Sequence, residues 1–295
     1  MTKIRNKRKL RIFDVINACI MILLGFSFVV PFWIIACSSL SDNGQLMSKG
    51  ISLWSRGFSF EGYAFLFQMS DVFFKSIISS LIVSFSNAAL SVALCTGAAY
   101  VLAKKDLAGR KALNIFFMIP MFFGGGMIPL YLVIRGIKIY DTVWALIFPC
   151  AVRISNVLLL RNYFYGIPTS LNEAGELDGA NQFQILIKII IPLAVPMMLT
   201  IGMIMFVDRW NNWLDTLLYF GSSNTKWWTI QYVLRQILTD MQSLYGSLGG
   251  GSIVDAPLIS ARNAAVVIAV LPLVCLSPIL HKYYIKGMTA GAVKG

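Results

Sequence analysis

Acidic residues and histidine are scarce in this chain of 295 residues: 13 aspartates and glutamates, one histidine, and charged side chains at only 13%. Soluble globular domains carry about 25% charged residues, so that class is excluded. Cysteines are few and dispersed. Cys19, Cys37, Cys95, Cys150 and Cys275 each stand alone within or beside apolar segments, with no Cys-x-x-Cys spacing. Neither a zinc site nor a disulfide framework is indicated, and buried free thiols are the simplest reading. A Gly-x-x-x-x-Gly-Lys-Ser/Thr loop is absent, so the chain does not bind ATP in that way. His281, at the end of the last apolar segment, reads as a span-end residue and not as a base or ligand. No carboxylate pair falls inside an apolar segment, which speaks against a proton-coupled carrier. Neither catalytic nor metal-binding residues are expected.

What the chain has instead is apolar length. Hydrophobic residues make up 57% and the mean hydropathy is +0.72, ample for several membrane spans at about 20 residues each. The net charge of +12 would suit nucleic acid, but the basic residues sit in short clusters between apolar segments. That placement orients a chain in a lipid membrane, and no nucleic acid is expected as partner.

Residues 1–14 form a basic N-terminus holding Lys3, Arg5, Lys7, Arg8, Lys9 and Arg11. The apolar run 15–37 is too long for the core of a cleavable signal peptide, so it reads as an uncleaved first span. An external loop, 38–72, leads to the core at 73–285. There a second span, roughly 73–103, is followed by Lys104, Lys105, Arg110 and Lys111. The third span, near 112–134, carries Gly124-Gly125-Gly126 and Pro129, which predict a broken helix, either a packed kink or a gate. A fourth span at about 142–160, a cytoplasmic loop 161–188, a fifth span at 189–207 and an external segment 208–262 follow. Within that segment Gly249-Gly250-Gly251 reads as a joint. A sixth span at 264–280 and a tail at 286–295 complete the chain. On this layout fifteen basic residues face the cytoplasm and eight face outward, which places both termini inside. The expected fold is all-α, a polytopic membrane protein with six transmembrane helices.

The cytoplasmic loop contains the most specific pattern. Ser170 is a candidate N-cap with Glu173 three residues on, the spacing of a capping box. Gly175 and Gly179 lie four apart beside Ala174 and Asp178, predicting a helix face almost without bulk, against which another backbone can come close. The run Glu173-Ala174-Gly175, Gly179, Ile189, Ile191-Pro192 resembles the signature of membrane subunits of binding-protein-dependent ABC importers. It departs from that signature at Gly175, where the family has a second alanine, and at Ile191, where it has leucine. The resemblance implies the type I importer (MetI-like) permease fold. It implies also that Glu173, Ala174, Gly175, Asp178, Gly179 and Ala180 belong to a coupling helix seated in a cleft of a cytoplasmic ATPase.

Segments 206–219 and 231–235 and the tail Lys286 to Gly295 are similar to those of the carbohydrate-uptake branch, the maltose-transporter-like permeases. There the corresponding tail, here with Gly291, Val293 and Lys294, enters the ATPase dimer interface. The partners so implied are a second, non-identical permease, two copies of the ATPase that hold ATP and magnesium, and an extracytoplasmic solute-binding protein. The location implied is the bacterial plasma membrane. The solute would be a sugar or oligosaccharide. Another polar solute, or an independent secondary carrier, is the alternative.

Three further constellations are open to two readings each. Ser76, Ser80, Ser84, Asn87 and Ser91 form one helical stripe, for packing or for lining a path. Arg153, near the middle of the expected fourth span with Asn156 just beyond, is costly in lipid. It pairs with a carboxylate of a partner or meets a polar solute. Trp210, Trp213, Trp227 and Trp228 are membrane-interface anchors or core, or they touch sugar or the binding protein.

Overall fold

The computed structural model describes residues 12–68, 71–104, 106–221, 224–247 and 258–292. The basic cluster at 3–11, the joint at 249–251, and Val293 and Lys294 lie outside the described residues. Among those described, helices account for nearly all regular structure, with one isolated β-bridge between Ser41 and Phe58. The chain forms two compact units, one from residues 1–69 and 241–268, the other from 70–240 and 269–295.

In the first unit α1 (Ile12–Ser39) buries only Cys37, Ser38 and Ser39. At 1.5 Å per residue its 28 residues reach about 42 Å, past the roughly 30 Å of hydrocarbon. The loop after it is ordered by short-range bonds. Asp42 caps α2 (Asn43–Lys49), accepting from the Gln45 N–H at 2.8 Å. Ser59 N–H returns to Leu40 C=O at 3.0 Å. In α3 (Glu61–Gln68) Tyr63 meets the Ser39 hydroxyl at 2.9 Å.

The second unit is built on α4 (Asp71–Ala103), whose Ser76, Ser80, Ser84, Asn87 and Ser91 are all buried. Then come α5 (Arg110–Phe122) and α6 (Met127–Gly136), whose axes are bent by 111° at a break. Gly126, at φ 82°, makes that break possible, so the expectation from Gly124-Gly125-Gly126 holds. Next are α7 (Trp144–Ile147), α8 (Ile154–Tyr165), α9 (Thr169–Leu177) and α10 (Gln182–Ile185). A π turn, Leu186–Ile190, leads into α11 (Ile191–Trp210). In that turn Ile191 N–H bonds the Leu186 carbonyl. Pro192 is the cause: its ring would collide with the Lys188 carbonyl in an α-helix, and it has no N–H to give. Helices α12 (Leu214–Tyr219), α13 (Ile230–Ser247) and α14 (Leu258–Ala292) complete the order.

Helix α4 packs on α8 and α11 through fully buried Cys95, Ala99, Val157, Leu160, Ala194 and Ile201. At Gly202 an added Cβ would stand 3.2 Å from Val92 Cγ2, so glycine sets the approach of α11 to α4. In the first unit Gly62 is stricter. A Cβ there would lie 2.7 Å from the Ser260 carbonyl carbon, so only glycine lets α3 rest on α14.

Among the described residues four helical stretches are long and apolar enough to cross a membrane: Ile12–Ser39, Val72–Ala103, Gln182–Trp210 and Leu258–Leu276; the bent pair α5 and α6 makes a fifth. The continuous fourth span expected over 142–160 is not there. It divides into one turn of helix, an irregular stretch at 148–153, and α8. Pro149 removes a donor and crowds the carbonyl four residues back, and Cys150 takes a left-handed φ of 60°. The five cysteines are free, but Cys19, Cys150 and Cys275 are exposed on this chain, so only Cys37 and Cys95 are buried thiols.

Candidate functional site

Helix α9 begins two residues earlier than the capping box requires. Pro168 stands at the N-cap without a side-chain bond, and Ser170 is already inside the helix. The fixed φ of proline aims the chain into the helix in place of a capping hydroxyl. The capping box lies instead at α10. Asn181 Oδ1 accepts from Gln184 N–H at 2.9 Å, and Gln184 Oε1 accepts from Asn181 N–H at 2.9 Å.

The two glycines of the expected smooth face do different things. Gly175 is buried against its own chain, and a Cβ there would meet Ile189 Cδ1 at 3.0 Å and Ile185 Cγ1 at 3.2 Å. The glycine in place of the family's second alanine thus brings α9 down onto the π turn. Gly179 is beyond the helix. Its N–H bonds Glu176 C=O at 3.0 Å, and Ala180 N–H bonds Gly175 C=O at 2.9 Å. This pair of bonds ends a helix on a left-handed residue, and Gly179 has φ 80°. Glycine avoids there the roughly 1–2 kcal/mol that a Cβ costs. Because the helix stops at Leu177, the two glycines share no face. Glu173, Ala174, Glu176, Leu177 and Asp178 are all exposed. Leu177 is 89% exposed. It is not among the residues that the family signature marks, although a leucine on an otherwise polar short helix is a signal in itself.

The broken fourth segment is held by side chains from distant helices. Asn87 of α4 donates through Nδ2 to Ile147 C=O at 2.6 Å. Arg209 of α11, 3% exposed, donates to Pro149 C=O and to Asp215 Oδ2. Irregular backbone at membrane depth survives only when its polar groups are satisfied in this way. Burial, with Asp215 alongside, pushes the Tyr219 hydroxyl up to about 12, so it stays protonated beside the pair. Arg153 is in extended backbone just before α8 and not in mid-helix. Its Nη2 meets Asp208 Oδ2 at 2.7 Å, and the two side chains remain 38% and 34% exposed. Arg153 thus pairs with a carboxylate of its own chain.

Of the other candidates, Ser84, Asn87 and Asn156 are buried. Ser84 Oγ, Asn87 Oδ1 and Asn156 Nδ2 have no partner. Trp210 and Trp228 are core, at 0% and 5% exposure, the former donating to Ala269 C=O at 3.1 Å. Both rings are buried within this chain. Trp213 lies 3.7 Å beneath the Arg235 guanidinium, and Trp227 is half-buried. Gly291 is in the last turn of α14.

The family described as binding-protein-dependent transport system inner membrane component matches residues 89–290. The chain belongs to this family. Along nearly its whole length the permease is similar to transport subunits of known solutes. It is 34% identical over 290 residues to the polygalacturonan/rhamnogalacturonan transport system permease protein YtcP of Bacillus subtilis, covering 97% of this chain and 100% of that one. With the arabinooligosaccharides transport system permease protein AraQ of the same organism it shares 25% identity over 296 residues, covering 99% and 100%. Its fold matches a chain of a bacterial ABC transporter involved in the import of the acidic polysaccharide alginate. There the TM-score is 0.83 and the identity 26%, with 93% and 97% of the two chains covered. The permease is thus an all-α, non-catalytic membrane subunit that works with an ATPase and a binding protein. Family membership sets aside the independent secondary carrier.

Proposed function

We propose that this permease forms one half of the path for an oligosaccharide, beside a second, non-identical permease in the bacterial plasma membrane. Two copies of a cytoplasmic ATPase hold ATP and magnesium, and an extracytoplasmic protein delivers the sugar. The observation that carries this reading is α9: a short helix packed on the π turn by Gly175, with Leu177 exposed between the exposed Glu173 and Asp178. Leu177, 89% exposed on a polar helix in the loop with the family's spacing, supports docking of a partner there. Both termini lie inside. In a cysteine-free permease within the whole importer, a cysteine at Ser48 is expected to react with an impermeant thiol reagent on intact cells. One at Thr169 is expected to stay unlabelled, and the opposite pattern means an inverted chain. Both positions are exposed on this chain.

The solute we propose is acidic. Relatives carrying polygalacturonan and alginate support this, and so does the partly exposed Arg153–Asp208 pair. A charged pair turned toward lipid is disfavoured, so its open side faces the path. A half-exposed pair of this kind holds weakly, about 0–1 kcal/mol, and a solute carboxylate can take the place of Asp208. Arg153→Gln is expected to lower import of an acidic oligosaccharide about tenfold or more, the loss of one charge-assisted bond, with a neutral one unaffected. An equal fall for both assigns Arg153 to structure, and no fall means another polar solute.

A further inference from the structure

Gln182 is the first residue of α10, and three side chains converge on it, two from the C-terminal end of α4 and one from α9. Tyr100 Oη donates to Gln182 Oε1 at 2.8 Å, and Lys104 Nζ donates to the same oxygen. Gln182 Nε2 donates to Glu176 Oε1 at 2.6 Å. Lys104 also lies 5.2 Å over the Tyr100 ring. One neutral amide thus joins the outward helix α9 to the end of α4, using its acceptor on one side and its donor on the other. The capping box of Asn181 and Gln184 fixes the backbone beneath it. These side chains form a wall of a cleft of about 690 Å³ between α4, α8 and α9.

Helix α9 therefore has two connections. The apolar one, Gly175 on Ile185 and Ile189, leads into the π turn ahead of α11. A π turn is a locally widened, less regular helix, frequent at functional sites, so that route is the more yielding of the two. The polar one leads to α4, an unbroken helix of 33 residues. We infer that Gln182 is the positioning residue that passes movement of α9 to α4, an inference resting on the reading that α9 docks on the ATPase. Without the bridge α9 still docks, but its stroke is taken up in the π turn and α4 stays behind.

The test exchanges the direction of one bond. Gln182→Glu sets two carboxylates against each other and removes the donor to Glu176, while Tyr100 and Lys104 still donate. Glu176→Gln added to it restores every bond with the donor on the other side. Gln182 is exposed, so folding is unaffected. In the complete importer in liposomes, Gln182→Glu is expected to retain the ATPase and its hydrolysis, with solute imported per ATP falling about tenfold. The double variant is expected to return within about twofold of the original. An unchanged ratio in Gln182→Glu, or a fall that the double variant does not relieve, overturns the inference. Leu177→Asp, run in parallel, separates the two failures. If it keeps its ATPase, the docking reading of α9 is at fault; if it loses the ATPase while Gln182→Glu transports normally, the bridge is.

Discussion

Leu177→Asp is expected to strip the ATPase from the permease while the permease is still made and inserted. At 89% exposure Leu177 adds almost nothing to its own fold, so its replacement leaves the helix intact. Fully burying a leucine contributes about 1.5–3 kcal/mol, and placing a carboxylate in the same apolar contact adds the cost of an unpaired charge. Together these amount to at least a hundredfold loss of affinity, since about 1.4 kcal/mol is a factor of ten. Co-purification of the ATPase with tagged permease reads it directly. Leu177→Met, similar in volume and still apolar, is expected to keep most of the ATPase. Full retention by Leu177→Asp would exclude α9 as the docking helix.

The second large effect is at Arg209. Its guanidinium is 3% exposed and bonds both Asp215 and the Pro149 carbonyl. Arg209→Ala leaves the half-buried Asp215 carboxylate with only Asn212 Nδ2 at 3.4 Å and the Pro149 carbonyl without its donor, about 3–5 kcal/mol for the broken ion pair. The apparent Tm of the solubilised importer is expected to fall by roughly 10 °C, and protease is expected to find the stretch at 148–153. Arg209→Lys keeps the charge but not the fork that reaches two acceptors at once, so an intermediate fall is expected. A Tm equal to the original would mean that the broken segment is held by Asn87 and its own turns.

How much of the site is legible in the sequence depends on the range of the interaction involved. The spacing from Glu173 to Pro192 lies within twenty residues, and it is enough to mark the loop that holds α9. Within that stretch spacing misleads where the helix end matters. It puts Gly179 on a helix that stops at Leu177, and it offers Ser170 for a capping box when Pro168 starts the helix and Asn181 holds the box. The tryptophans mislead for another reason: an indole suits a membrane interface, a protein contact and a core equally well. Only packing buries Trp210 and Trp228.

The sequence by itself determined the membrane class, the helical fold, the break after α5, and the family through its loop. These follow from apolar run length, from glycine and proline at particular positions, and from short spacings, all local along the chain. Tertiary structure alone decided the fate of residues 142–160, the partner of Arg153, and the bridge at Gln182. Pro149 weakens the helix in sequence. What stabilises the broken form is a carboxamide 60 residues before Ile147 and a guanidinium 60 residues after Pro149. Arg153 likewise found Asp208 at a separation of 55 residues, and Gln182 found Tyr100 at 82. A buried or bridging polar group is settled by whichever partner the fold brings within about 3 Å, and that choice is made between helices and not along them.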